Sequence, residues 1–434
     1  MHLPPTEHPR IVILGGGFAG LELAQRMKGL PVQIVLIDRN NFFTFQPLLY
    51  QVATAGLELN SVVYPFRRIF RKQSNVFFRL AEVKKVDAKI QTVHTSIGEI
   101  RYDHLVLATG SRPVFFGLAP GRLITMKTTA DALYMRNTIL TEFERALDQD
   151  DVEEQKKLVN MVIVGGGPTG VELAGAFAEM KKYILPRDYP QLDLDQMHIY
   201  LVEGLDRLLP AMSESSSRHA QRYLEKMGVQ VRLNQLITAY DGQSVEIAAE
   251  KVYTKNLIWT AGVQADQPEG LVDDLDTKDN RIVVDRLHQV VGYDKIYAIG
   301  DVAAMLSDEY PDGHPQLAPV ALQQGKHLAQ NFRRTLVNHA PPTPFSYTDK
   351  GTLATVGRNK AVAELPFGKT RGTLAWYLWM IVHLMTLVGF RNKIVTFVNW
   401  MYGYFRYDRA LRIIHRPSRE KRTSSRPIPA EPTS

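Results

Sequence analysis

The ten residues GGGFAGLELA, beginning at Gly15, recur as GGGPTGVELA beginning at Gly165, with seven of the ten letters identical and 150 positions between them. Each block follows a short apolar run, Ile11–Leu14 before the first and Met161–Val164 before the second. In a G-x-G-x-x-G turn between strand and helix, each glycine has its own task. The first (Gly15, Gly165) lets the chain turn sharply. The second (Gly17, Gly167) carries no Cβ, so a pyrophosphate can approach the backbone at the helix N-terminus. The third (Gly20, Gly170) lets the helix lie close on the sheet. An acid at the end of the next strand then accepts hydrogen bonds from the adenosine ribose hydroxyls, and Asp38 and Glu203 stand there, 23 and 38 residues after their first glycines. The longer interval comes from the stretch EMKKYILPRDYPQLDLDQ. One such turn is a weak sign, because glycines also serve packing alone. Two, each with strand, helix and acid, predict two dinucleotide sites: one for a bound redox cofactor, one for a diffusing substrate. Were the second site to hold a nicotinamide dinucleotide, Glu203 would repel a 2′-phosphate and so favour NADH over NADPH, although Arg207 lies four residues further on.

The elements that must position these residues read as strand Arg10–Leu14, helix from Gly17 to about Met27 and strand Gln33–Ile37 in the first unit. The second unit reads strand Leu158–Val164, helix from Gly167 to about Tyr183 and strand His198–Val202. Continuous apolar runs bounded by glycine are what strands buried on both faces of a parallel sheet look like. Between the units lie a hairpin-like stretch, Val76–Tyr102, and the apolar run Leu105–Leu107 ahead of Ala108-Thr109-Gly110. LIWTAGV (257–263) and IYAIGDVA (296–303) follow the second unit, and the Pro-rich HAPPTPF (339–345) marks a boundary. The expected fold is α/β: two Rossmann-like dinucleotide-binding domains, the second inserted in the first, plus a C-terminal membrane-anchoring helical segment. Expected limits are 8–118 and 256–345 for the first domain, 119–255 for the second, 346–415 for the C-terminal region and 416–434 for a disordered basic tail.

A chain of 434 residues is too long for one ordinary core. Its 45% apolar and 22% charged residues are those of a globular protein. From Pro366 to Ser434 there are 12 basic and 3 acidic residues, a charge of +9, whereas the remainder holds 40 and 42 and carries −2. Any polyanionic partner therefore belongs at the C-terminal end. The absence of cysteine excludes disulfides, thiolate catalysis and Cys-ligated clusters. No metal-binding pattern is read. Met1–Arg10 is polar and Pro-rich without an apolar h-region, so no secretory signal is read and a cytoplasmic location is expected.

The order N-terminal GxGxxG, ATG (108–110), second GxGxxG and AIGD (298–301) resembles the two-dinucleotide-binding-domain flavoproteins. The resemblance implies FAD at the first turn, NAD(H) at the second, and Asp301 of Gly300-Asp301 on the flavin's ribityl or phosphate region. Disulfide reductases and sulfide:quinone reductases of that superfamily work through cysteine pairs, which this chain lacks. TFQPLLYQVATAG (44–56), IWTAGV, YAIGDVA, APVALQQGK (318–326) and YFRYDRALRII (404–414) together resemble the type II, non-proton-pumping NADH dehydrogenases. That resemblance implies hydride transfer from NADH to FAD and two-electron reduction of a membrane quinone by a homodimeric respiratory enzyme. Gly15, Gly17, Phe18, Ala19, Gly20, Asp38, Gln46, Thr109, Gly110, Gly300, Asp301 and Ala321 would hold FAD. Gly165, Gly167, Thr169, Gly170, Glu203 and Gly262 would hold NADH. Glu172 would face the nicotinamide, against the alternative that it and Glu22, in the repeated ELA, are solvated helix residues. The family motif AQxAxQ reads here as Ala318, Pro319, Val320, Ala321, Leu322, Gln323. Pro319 suits a first helical turn but loses a hydrogen-bonding side chain, while Gln323 is kept and Gln324 follows. Gln323 and Lys350 are the quinone-side candidates, with a solvated loop lysine as the competing reading of Lys350.

A quinone with an isoprenoid tail stays in the bilayer, so the enzyme must reach it. Leu374–Phe390 and Ile394–Phe405 are apolar and aromatic, the first only 17 residues long and separated from the second by Arg391-Asn392-Lys393. They read as two helices lying in the interface of the cytoplasmic face of the cell membrane, with Trp376, Trp379, Trp400, Tyr377, Tyr402 and Tyr404 at headgroup level and the basic charge on anionic lipid. A buried core or dimer-interface pair is the competing reading, and the interleaved apolar residues argue against nucleic acid. Two other functions compete: a soluble FAD-dependent reductase of a protein such as ferredoxin, and a flavin-binding protein without catalysis.

Overall fold

The computed structural model describes residues 1–271, 275–406 and 411–415. Two parallel five-stranded sheets carry the two glycine turns. In the first the order is Ile296–Ala298, His104–Leu107, Arg10–Leu14, Gln33–Asp38, Val76–Leu80. In the second it is Ile124–Thr125, Asn256–Trp259, Met161–Val164, Ile199–Val202, Val229–Arg232. In both, the strand feeding the turn is central, and Ile11, Val12, Ile13 and Leu14 are wholly buried. Burial on both faces is why these runs do not alternate.

The outer strand Ile296–Ala298 of the first sheet comes from beyond the second sheet, so the chain leaves and returns. The two crossing segments pair as an antiparallel ribbon, Ser111–Pro113 with Val263–Ala265. The expected hairpin over 76–102 is divided: Val76–Leu80 joins the first sheet in parallel, and only Val83–Asp87, Thr92–Thr95 and Gly98–Arg101 form an antiparallel meander. Asn75 decides this, because its carbonyl accepts from Ile34 N at 2.9 Å while its Nδ2 donates to Met27 O at 3.0 Å. The expected strand 158–164 begins only at Met161, because Asp151 caps a helix, Val152–Val159, by accepting from Glu153 N at 2.8 Å.

The C-terminal region is a three-stranded antiparallel sheet, Thr352–Gly357, Lys360–Leu365 and Gly368–Arg371, followed by helices Thr373–Thr386 and Phe390–Arg406. The sheet lies on the second glycine helix, Pro168–Tyr183. A Cβ at Gly175 would stand 1.6 Å from Val356 O, so only glycine allows this approach. At about 1.5 Å per residue the two C-terminal helices are shorter than a hydrocarbon core of about 30 Å. Among the described residues no helix is long and apolar enough to cross a membrane. The basic tail, 416–434, lies outside the described residues, as does part of the 404–414 motif.

Candidate active site

The two glycine turns are near-copies in space as well as in sequence. Gly15 has φ +99° and Gly165 φ +108°, conformations that strain any residue with a Cβ. A Cβ at Gly20 would lie 2.0 Å from Gly15 O, and one at Gly170 1.8 Å from Gly165 O. At Gly17 and Gly167 it would meet nothing within 4 Å, so the open side of each turn faces free space where a pyrophosphate fits. Each acid reaches back to its own turn: Asp38 Oδ2 accepts from Gly16 N at 2.7 Å, and Glu203 Oε2 from Gly166 N at 2.5 Å. The second oxygens accept from Asn40 N at 2.7 Å and Leu205 N at 2.9 Å. Burial raises the Asp38 pKa, with these N–H donors working against it. Arg207 is turned to its own loop, donating to Pro210 O at 3.2 Å.

Other expected residues gather around the first turn. Gly300, with φ +77°, sits where an added Cβ would be 3.2 Å from Ala19 Cβ and 3.7 Å from Ala321 Cβ. Thr109 Oγ1 is buried with no hydrogen-bond partner among the described residues, an orphan that a bound cofactor would satisfy. Asp301 Oδ2 accepts from Ser111 Oγ at 2.6 Å. Phe18 packs edge-on against Phe43 and Phe45 at 5.2 and 5.8 Å. Gly110 has φ +75°, and Gln46 is exposed at the start of a single 3₁₀ turn. Around the second turn, Thr169 is the second residue of its helix, and Gly262 packs under Val114 and Phe116.

A cleft opens between these two units and the C-terminal region. Glu172 lies in it with Tyr50, Gln51, Trp379, Trp400 and Tyr404. Glu172 is no solvated helix residue: it is 8% exposed, and Trp379 Nε1 donates to its Oε1 at 3.3 Å. Burial pushes its pKa up to about 8, against lowering by hydrogen bonds from the Thr355 backbone and Trp379. Its sequence twin Glu22 instead forms a surface ion pair with Arg26 at 2.7 Å. The Trp379 ring stacks on His383 at 4.2 Å, and His383 meets Phe45 edge-on at 6.2 Å. An unbroken aromatic path therefore joins Phe18, at the first turn, to Glu172. Burial lowers the His383 pKa to about 4, so its ring is neutral at pH 7.

Trp379 and Trp400 were expected at headgroup level, but both turn inward. Trp379 is 2% exposed, and Trp400 Nε1 donates to Gln51 Oε1 at 2.7 Å. An indole N–H needs an acceptor, and the cleft supplies two. Gln323 does not line the cleft: its amide donates to Thr348 O at 2.9 Å and accepts from Thr348 N at 3.0 Å. Lys350 is exposed two residues further on. Gln324 is the glutamine that meets the first site, accepting from Gly300 N at 2.7 Å. The sequence offered two adjacent glutamines and no means of choosing between their faces. Tyr50 and Gln51, within the 44–56 motif, and Trp379, in the aromatic C-terminal stretch, gave no local sign of meeting, because the chain brings them together only across long separations.

Comparison with known proteins gives the family and the fold. A pyridine nucleotide-disulphide oxidoreductase model matches residues 9–325, and an NDH2 C-terminal domain model matches 350–406. The chain is 34% identical over 422 residues to the type II NADH:quinone oxidoreductase Ndh of Mycobacterium tuberculosis, covering 92% of this chain and 88% of that protein. It is 33% identical to NdhA of the same organism, covering 90% and 86%. Its fold is similar to that of NDH2 from Plasmodium falciparum in complex with NADH, with a TM-score of 0.85 at 20% identity over 92% of this chain and 99% of that one. With a relative this similar along nearly its whole length, the chain belongs to the type II NADH:quinone oxidoreductases of the pyridine nucleotide-disulphide oxidoreductase family.

Proposed function

We propose that the chain transfers electrons from NADH through FAD to a quinone, and that the quinone head is reduced in the Glu172 cleft. The observation that carries this reading is a buried carboxyl, its pKa raised by burial to about 8, walled by aromatic rings and linked by ring contacts to the first glycine turn. Gly15, Gly17, Phe18, Ala19, Gly20, Asp38, Gln46, Thr109, Gly110, Gly300, Asp301 and Ala321 would hold FAD, and the open Gly17 and orphaned Thr109 hydroxyl suit it. Gly165, Gly167, Thr169, Gly170, Glu203 and Gly262 would hold NADH. When bound, FAD supplies the two-electron chemistry that joins nicotinamide to quinone.

Expected to face the nicotinamide, Glu172 is read here on the quinone side: it holds a proton at Oε within the cleft and gives it to one quinone oxygen as charge develops there, the other hydrogen coming with the transferred hydride. Trp379 fixes the carboxyl's orientation. Gln323 acts at a distance, clamping the segment that carries Lys350 and leads into the strand whose Thr355 and Gly357 line the cleft. Glu203 excludes a 2′-phosphate, while Arg207 donates to Pro210 O within its own loop. Residues 8–118 with 256–345, 119–255 and 346–415 are taken as the FAD, NADH and quinone-access regions.

The outward faces of the C-terminal helices expose Met385 at 65%, Phe390 at 78% and Phe405 at 71%. That strip is read as seating the enzyme on the anionic cytoplasmic face of the membrane without spanning it, as part of a homodimer. The test is anaerobic. Protein purified in detergent is titrated with NADH until the yellow flavin band bleaches, and a short-chain quinone is then added. Bleaching and recovery are expected. Bleaching without recovery would remove the quinone and leave a reductase of protein acceptors.

A further inference from the structure

Lys127 has no part in the chemistry above, yet its ammonium is drawn into the first site from the second. Its backbone belongs to the start of the helix Thr129–Ala146, beside the second sheet. The capping box fixes it there: Asp131 Oδ2 accepts from Lys127 N at 3.0 Å and from Thr128 N at 2.9 Å. Its side chain crosses to the ribbon between the sheets, where Nζ donates to Ser111 Oγ at 2.8 Å. Ser111 Oγ in turn donates to Asp301 Oδ2 at 2.6 Å, with Lys127 Nζ 3.9 Å from the same oxygen.

A serine hydroxyl has one proton to give. With Lys127 occupying it as acceptor, that proton is committed to Asp301. Burial lowers the Lys127 pKa, and Asp301 and Asp266 raise it, so the cation is held against desolvation by carboxylates at the site. Both ends of the relay are only partly exposed, at 22% each, where a charge-assisted hydrogen bond is worth more than at the surface. Among the described residues no partner holds Asp301 Oδ1.

We propose that Lys127 is a positioning residue for the flavin: acting through Ser111, it orients the Asp301 carboxylate toward the FAD ribityl chain and so ties FAD retention to the connector that enters the second domain. The proposal rests on the placement of FAD at the first turn. Nothing in the glycine or acid motifs identifies Lys127, because its contribution comes from a different sheet.

The test measures FAD dissociation from the full-length protein, followed by the fluorescence of released flavin, in Lys127→Met, Lys127→Gln, Ser111→Ala and Asp301→Asn variants. Melting of each apo-protein is recorded alongside, so that loss of cofactor and loss of fold are separated. Lys127→Met and Ser111→Ala should each weaken FAD binding at least about tenfold. The double variant should be no weaker than the weaker single variant, because both substitutions cut one relay. Ser111→Thr, which keeps the hydroxyl, should restore most of the affinity. Additive losses, or unchanged affinity in Lys127→Met and Lys127→Gln while Asp301→Asn loses FAD, would overturn the relay alone. Unchanged affinity in Asp301→Asn would overturn the placement of FAD on Asp301 and the relay with it.

Discussion

Replacing Glu172 by Gln tests the cleft most directly, because Gln keeps the shape of the neutral acid but has no acidic proton to lose. Burial raises the Glu172 pKa from 4.5 to about 8. At pH 7 most of the molecules therefore carry the proton, whereas an ordinary glutamate is almost wholly ionised there. The shift costs about 1.4 kcal/mol per unit, or about 5 kcal/mol in all. The sign follows from linkage: the folded state holds a proton that the unfolded chain releases above its own pKa. Stability from this group is fully present below pH 4.5 and is lost as pH rises to about 8. Wild type and Glu172→Gln should thus melt alike near pH 4.5, and the variant should become progressively the more stable toward alkaline pH. The kinetic assay uses stopped flow. Bleaching by NADH should be unchanged, while recovery with quinone should slow by about a hundredfold or more, the usual worth of a positioned acid. In wild type that recovery should decline above pH 8, and in the variant it should be flat. Parallel melting across the pH range, or quinone recovery at the wild-type rate, would refute the buried-acid reasoning.

The same cleft and its neighbours make further commitments. Trp379→Phe keeps an aromatic wall but removes the donor that lowers the Glu172 pKa, so the alkaline limb of the recovery profile should move to higher pH. Glu203→Arg should shift the NADH-to-NADPH preference in kcat/KM by about tenfold or more toward NADPH, and an unchanged ratio would remove Glu203 from the ribose site. Gly175→Ala forces a Cβ into Val356 O and should lower the melting temperature, with a cost of at least about 2 kcal/mol, while loosening the cleft. Met385→Asp with Phe390→Asp should abolish flotation with anionic vesicles yet leave turnover of a short-chain quinone intact. Deleting the helices would be a poorer experiment, because it would also remove Trp379 from Glu172.

The glycine turns show how much of the first two units was legible in the chain. A tight turn, a close helix–strand approach and an acid at the next strand's end are local demands, each met within about 40 residues, so composition and spacing reveal them. Strand burial on both faces was legible for the same reason, as runs without alternation. The strand Val76–Leu80 reads locally as part of a hairpin, because the Asn75 bonds that hold it parallel lie across the sheet.

Glu22 and Glu172 mark where the sequence stops. Both stand in the letters ELA, at the same place in the same turn-helix unit; Arg26 four residues on offers Glu22 an ionic partner, whereas Ala176 offers Glu172 none. The chain itself determined two dinucleotide turns, two acids and a redox reading without cysteine. The Glu22–Arg26 pair is local, four residues apart on one helix, whereas tertiary structure alone decided that the sheet 352–371 and the helix carrying Trp379 settle over Glu172 and raise its pKa by burial. The cover comes from 180 or more residues away and is admitted only because Gly175 has no Cβ. A pKa is a property of what surrounds a carboxyl, and those surroundings exist only once the chain has folded.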